Sequence, residues 1–279
     1  MEMLARRNSR VAKALALLFG ILPGAVVFGV LVAFLGAAVA GGAALAVLVA
    51  CSLAVWFGSM PMLLRLLEAK RCEEGDLPRV RNLLEGVCVV MGSSLPELRV
   101  VEVSWRNALM LSGPRRRDVF VVTRGLAEGL GRVMLEGVVA HELVHARRGE
   151  SLRATIAAGV CLPVATVAPT TATRLAHALL GQGREMRCDL AAVLITRYPP
   201  GLRDALAGMV EGGWSPALGA SRSSGRVEGG AGGLRNPSGA ALAATSWLWT
   251  LPLDPPVEPE ELIGELDAPD VRIGALGEL

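Results

Sequence analysis

Rings and charges are what this sequence has least of. Only 4% of its 279 residues are aromatic, one of them a tyrosine, whereas 52% are hydrophobic. Packing built mainly from Ala, Val, Leu and Gly is unusual for a soluble domain and points to a membrane setting. The net charge of +2 argues against a nucleic-acid partner, because phosphate binding needs Lys and Arg gathered on one face. Cys51, Cys72, Cys88, Cys161 and Cys188 are odd in number and form no C-x-x-C pair. That argues against a disulfide framework and for a reducing compartment.

Charge is missing altogether from Ala14 to Leu64. A membrane-crossing helix needs about 20 apolar residues, so this run accommodates two helices and a turn. The natural place for the turn is "GAAVAGG" at 36–42. A secretory signal would stop after a short apolar stretch, so the expectation is a retained transmembrane hairpin over residues 1–66. Arg6, Arg7, Arg10 and Lys13 precede it, and Arg65, Lys70 and Arg71 follow it. By the positive-inside rule both ends face the cytoplasm, in a multi-pass protein of the cell membrane with the lipid bilayer as a partner. Gly20 and Gly24, one helical turn apart, can mark a close helix contact.

Past the hairpin, Pro78 opens a segment with Val80, Leu83, Leu84, Val87, Cys88 and Met91 at helical spacing. Two runs rich in β-branched residues follow, "LRVVEVSW" at 98–105 and "DVFVVT" at 118–123. A short strand at 107–111 and a turn at 112–117 lie between them, giving a small sheet. Residues 134–148, "MLEGVVAHELVHARR", are again helical in period. At i and i+4 the imidazoles of His141 and His145 project from one face and can share a metal, with Glu142 beside them to reach a water. The bland alternative is two unrelated histidines on an amphipathic helix.

A catalytic zinc site keeps three protein ligands, so a third must come from elsewhere. "REMRCDLAAVLITR" at 184–197 offers Glu185 and Asp189 on one helical face. One carboxylate can bind the metal while the other holds a histidine from behind; a surface salt-bridge pattern with Arg184 or Arg187 is the competing reading. Cys188, between the two acids, reads as a small core residue facing away from them.

The chain resembles the HtpX-type membrane zinc metallopeptidases, relatives of the CAAX prenyl endoprotease. The resemblance rests on the hairpin followed in order by "RNALMLSG", "DVFVVTRGLAEGL", "LEGVVAHELVHARRGE" and "REMRCDLAA", over roughly residues 10–197. It implies an α+β membrane protein in which a mainly helical, zincin-like catalytic domain with a small sheet follows the hairpin. It also implies one zinc ion per chain, Glu185 as the third ligand, and an edge strand lining the cleft at Asn107 and Ala108, where an extended peptide substrate would bind. Asp189 would then hold a ligand imidazole and Glu142 would act as general base. The family's closing His-Pro-Pro and arginine are matched only by "DPPVEPEEL", with Asp254 for the histidine and no arginine after it.

The catalytic domain is expected over 67–211. Its apolar stretch at 154–173 cannot be a single crossing, because His145 and Glu185 must meet on one side; a re-entrant or interfacial segment fits. A Gly/Ser-rich loop is expected at 212–241, and a segment packing on the catalytic domain at 242–279. The function implied is cleavage of membrane or misfolded proteins at the cytoplasmic face. Two other classes share parts of the pattern: an antibiotic-sensor-type signalling metalloprotease, and a zinc-binding scaffold without turnover. No extracellular sensor is evident in these residues, and a purely structural site has no use for Glu142.

Overall fold

A computed structural model describes residues 2–73, 75–114, 117–181, 183–214, 239–253 and 267–279. The chain is mostly helical around one small mixed sheet. Helices α1 (Glu2–Leu35) and α2 (Ala37–Leu66) form an antiparallel pair joined at a single residue, Gly36, whose φ of 79° is left-handed. The turn therefore falls at the first residue of the expected stretch, and Gly41 and Gly42 lie inside α2. A Cβ on Gly20 would sit 2.4 Å from the Leu48 carbonyl oxygen, and one on Gly24 3.0 Å from that of Ala44. Those two glycines let the backbones touch, and the outward faces, including Leu22, Phe34 and Leu45, stay exposed.

Strand β1 (Lys70–Arg71) leads to α3 (Pro78–Met91), which buries the apolar residues named by its period. Strands β2 (Glu97–Val101), β3 (Ala108–Gly113) and β4 (Arg117–Thr123) complete a sheet ordered β1-β2-β4-β3. The β2–β4 pair is parallel and the other two are antiparallel, so β3 is an edge strand. β2 stops four residues before the apolar run does. Arg124 draws Glu102 and Asp76 to itself, with contacts of 2.7 and 2.9 Å, and Gly125 lies so close to the Ser104 carbonyl that a Cβ could not fit.

After the short α4 (Arg124–Gly129), α5 (Arg132–Arg147) runs through the core. Leu135, Val138, Val139, Leu143 and Val144 join it to α3, to the sheet and to α9 (Pro199–Gly212). Helix α6 (Glu150–Val167) leaves the core along the hairpin; Gly159 abuts Ser59 of α2. The chain breaks at Ala168, α7 (Pro169–Leu180) returns, and α8 (Arg184–Thr196) lies beside α5. Residues 154–173 thus lie in an out-and-back helical pair. Three described helices, α1, α2 and α6, are long and apolar enough to cross a membrane.

At the two ends of the stretch expected as a Gly/Ser loop, Gly212 closes α9 and Gly239 opens α10 (Gly239–Thr245). Its middle, 215–238, lies outside the described residues, as do Asp254 and the rest of 254–266. "SWLWT" at 246–250 is buried against β3, α6 and α7, with Trp249 stacked edge-on to Trp105 at 4.9 Å. The last helix is α11 (Pro269–Gly277).

The glycine contact gives a test in detergent. Gly20→Leu inserts a side chain where backbone already stands and is expected to lower the unfolding midpoint, by an overpacking cost of about 1–3 kcal/mol. Gly29→Leu, where a Cβ meets nothing within 4 Å, is expected to leave it unchanged. Equal behaviour of the two variants would contradict the close crossing.

Candidate metal centre

Three elements meet where His141, His145 and Glu185 converge. Helix α5 supplies the histidines from consecutive turns, and both rings are buried. His141 Nε2 lies 3.0 Å and His145 Nε2 3.1 Å from Glu185 Oε2, and the two Nε2 atoms are 3.2 Å apart. Each ring also meets a carboxylate on its other side. His141 Nδ1 is 2.7 Å from Asp189 Oδ1, and His145 Nδ1 is 3.0 Å from Glu150 Oε2. With a carboxylate beside each Nδ1, an imidazole that carries its proton there offers the Nε2 lone pair toward Glu185 Oε2. Two such nitrogens and a carboxylate oxygen sit this close when positive charge, a ring proton or a metal ion, stands among them. The donor set, two imidazoles and a carboxylate, is one that zinc and its neighbours in the first transition row accept.

The supports explain why the sequence can hold this arrangement. Gly149, with φ of 69°, ends α5 so abruptly that α6 starts at Glu150, which reaches back to His145. Arg148 backs the same carboxylate at 3.0 Å. On α8, the Arg184 guanidinium donates to Glu185 Oε1 at 2.5 and 2.8 Å, leaving Oε2 to face the histidines. Arg184 also donates to the Trp247 carbonyl. Asp267, far along the chain, accepts from the N–H groups of Gly183, Glu185 and Met186 and so caps α8 at its positive end. Arg272 of α11, fully buried, donates to both oxygens of Asp189 at 2.6 and 2.8 Å.

The electrostatics follow from these pairings. Burial pushes the Glu185 carboxyl up, but Arg184 and the two imidazoles outweigh it and hold it well below the ordinary range. Burial pushes His145 down, yet the anionic groups around it raise it well above the usual value, and His141 is raised in the same sense by Asp189. The pocket therefore favours positive charge at its centre. Glu142, also buried, accepts a hydrogen bond at 2.6 Å from the Thr250 hydroxyl; burial pushes its carboxyl up against the pull of the histidines.

Asn107 and Ala108 sit at the head of the edge strand, but their polar groups are taken up by the chain itself. The Asn107 carboxamide donates to the Leu251 and Trp214 carbonyls and accepts from the Ala108 and Leu251 N–H groups. The Ala108 carbonyl accepts from the Thr250 N–H at 2.8 Å.

Cys188 is buried, as expected, and its sulfur lies 3.4 Å from His145 Nδ1 and 3.4 Å from Glu150 Oε2. Helical phase on α8 alone could not show that α5 stands against that face. The reading of no arginine after the proline-containing end needs correction: Arg272 follows it and is fully buried. Glu150 was written in "HARRGE" but without a role. Thr250 carried no signal in the sequence.

The centre is expected to bind one divalent transition-metal ion per chain, and Glu185→Ala to lose most of it by elemental analysis of the purified protein. Asp189→Asn, which keeps the ligands but weakens the support of His141, is expected to lower metal affinity by about 10–100-fold. The reverse order of effects would make Asp189 the ligand and Glu185 the support.

No protein-family model matches the chain, and no solved structure matches it. Curated relatives do. It is 31% identical over 163 residues to a protein named Protease HtpX homolog from Dictyoglomus turgidum, covering 47% of this chain and 53% of the relative. The protein of the same name from Dictyoglomus thermophilum is 32% identical over 163 residues, covering 47% and 54%. That from Salinibacter ruber is 26% identical over 208 residues, covering 64% and 75%. The chain spans about half the length of the first two relatives. Over that shared portion, the chain resembles HtpX-type proteases.

Proposed function

We propose that the protein is a membrane-anchored zinc endopeptidase that hydrolyses peptide bonds of membrane or misfolded proteins at the cytoplasmic face. The observation that carries this reading is the convergence of His141 Nε2, His145 Nε2 and Glu185 Oε2 with a buried carboxylate, Glu142, on the same helix. In this reading residues 1–66 anchor the chain and 67–211 form the catalytic domain, of zincin type. His141, His145 and Glu185 would hold zinc, which would supply Lewis acidity toward water and the scissile carbonyl. Glu142 takes a proton from the attacking water and returns it to the leaving amine. Asp189 and Glu150 keep the Nδ1 protons in place, so both imidazoles stay in the tautomer that offers Nε2. Substrate peptides extend along the edge strand β3, where backbone pairing makes cleavage broad in sequence. The out-and-back course of α6 and α7 supports a site on one side of the bilayer, since it returns the chain from His145 to Glu185 on the side it left.

Two experiments test the reading. Glu142→Gln preserves the side chain's size and all three proposed ligands but removes the proton acceptor. Zinc content should survive while cleavage of an unfolded protein falls at least about 100-fold. A chelator should stop the wild-type reaction and zinc should restore it. Equal cleavage by the variant, or wild-type protein that binds zinc and cuts nothing across neutral pH, would overturn the reading. For topology, reporters fused after residues 70, 149 and 183 should all report cytoplasm and one near Gly41 the far side; a far-side signal at 183 would contradict the proposed orientation.

A further inference from the structure

We propose that Thr250 is the positioning residue of the general base: its hydroxyl aims the Glu142 carboxylate, and its backbone keys that carboxylate to the substrate-binding edge strand. The inference rests on the reading of Glu142 as base and adds a residue to that machinery from a distant part of the chain.

The geometry separates this role from that of an ordinary buried threonine. Thr250 Oγ1 stands 2.6 Å from Glu142 Oε1 and 3.1 Å from the Ala108 carbonyl oxygen. A hydroxyl has one proton and can donate it to one of them. The Ala108 carbonyl already accepts the Thr250 N–H at 2.8 Å, whereas a hydrogen bond to a charged acceptor is the stronger kind. The shorter contact and the charge both assign the proton to Glu142. Thr250 is fully buried, so water is not at hand to replace that donor. If Thr250 merely filled space, valine would serve, since the Ala108 carbonyl would keep its N–H partner.

The segment that carries Thr250 is fixed from both sides. Before it, Trp249 is fully buried, stacks on Trp105, and donates its indole N–H to Thr245 Oγ1 at 3.3 Å. After it, Leu251 is bracketed through its N–H and carbonyl by the Asn107 side chain. Trp249 pairs antiparallel with Leu109 in a single bridge, so the segment lies against the Ala108 end of the β3 edge. Antiparallel strands alternate in the direction of their hydrogen bonds. With Thr123 N–H bonded to the Asn107 carbonyl, Ala108, Met110 and Ser112 turn their polar groups outward. Thr250 takes the Ala108 carbonyl, and Ser112 N–H donates to Thr155 Oγ1. The same antiparallel bridge sets the Met110 N–H opposite the Leu248 carbonyl, so this segment covers the edge from Ala108 to Met110. One segment thus holds both the aim of the base and the Ala108 end of the β3 edge.

The test uses the full-length zinc-loaded protein in detergent. Thr250→Val keeps the shape and removes the donor; Thr250→Ser keeps the donor. Thr250→Val is expected to lower kcat about tenfold, with KM and zinc content within twofold of wild type, and Thr250→Ser to restore most of the rate. Combined with Glu142→Gln, the valine change should cause no further loss. In infrared difference spectra, the carboxylate band that disappears in Glu142→Gln should shift in Thr250→Val, a signature that a purely packing role would not produce. An active wild type whose valine variant keeps its kcat, or whose Glu142 band does not move, overturns this inference alone. Wild-type protein that cuts nothing overturns the peptidase reading, and this inference with it.

Discussion

Everything around α5 is arranged to tolerate one unfavourable juxtaposition, three lone-pair donors within hydrogen-bond distance of one another in a space closed to water. Two imidazole nitrogens and a carboxylate oxygen stay this close when positive charge stands among them, on a ring or on a metal ion. They are driven together from behind: Asp189 and Glu150 fix the two Nδ1 atoms, and Arg184 turns the second oxygen of Glu185 away from the centre. Each of the three carboxylates has its own arginine, Arg272 on Asp189, Arg148 on Glu150 and Arg184 on Glu185. Those arginines balance the outer carboxylates, while the acids facing the two rings still favour positive charge at the centre. Breaking such a buried pair from one side costs about 3–5 kcal/mol, because the remaining charge is stranded.

The supports come from both ends of the chain. Asp267 and Arg272 of the C-terminal segment hold α8 and Asp189, and Thr250 reaches Glu142 from the segment after α10. At the other end, the Asn8 side-chain amide of α1 donates to the Arg148 carbonyl at 2.9 Å, and Gly149 packs so tightly on Ala5 that a Cβ would lie 3.1 Å from its Cα. The corner that presents Glu150 to His145 is therefore braced by the anchor helix. Secondary structure sets the spacing of the donors, and these distant contacts set their direction.

What could be read from the sequence follows that division. The hairpin was legible because charge is absent over a long run, and α3 and α5 because their apolar residues repeat at helical spacing. His141, Glu142 and His145 declared themselves by chemistry within five residues, and Glu185 and Asp189 by sharing one helical face. Glu150, Asp267, Arg272 and Thr250 act across tertiary contacts, where spacing carries no information about partners. The neighbours of Cys188 were hidden for the same reason: helical phase gives a direction on α8, but not that α5 lies there. The early end of β2 reflects the charge cluster at Arg124, a tertiary effect that overrides a good run of valines.

The choice of donors is what X-ray absorption at the zinc edge reads directly on zinc-loaded protein. His145 belongs to two clusters: with His141 and Glu185 through Nε2, and with Glu150 and Cys188 through Nδ1. If the first holds the ion, the spectrum should show nitrogen and oxygen neighbours at about 2.0–2.2 Å, the multiple-scattering signature of two imidazoles, and no sulfur. A sulfur shell at about 2.3 Å would place the metal on Cys188 and contradict the centre built on His141, His145 and Glu185.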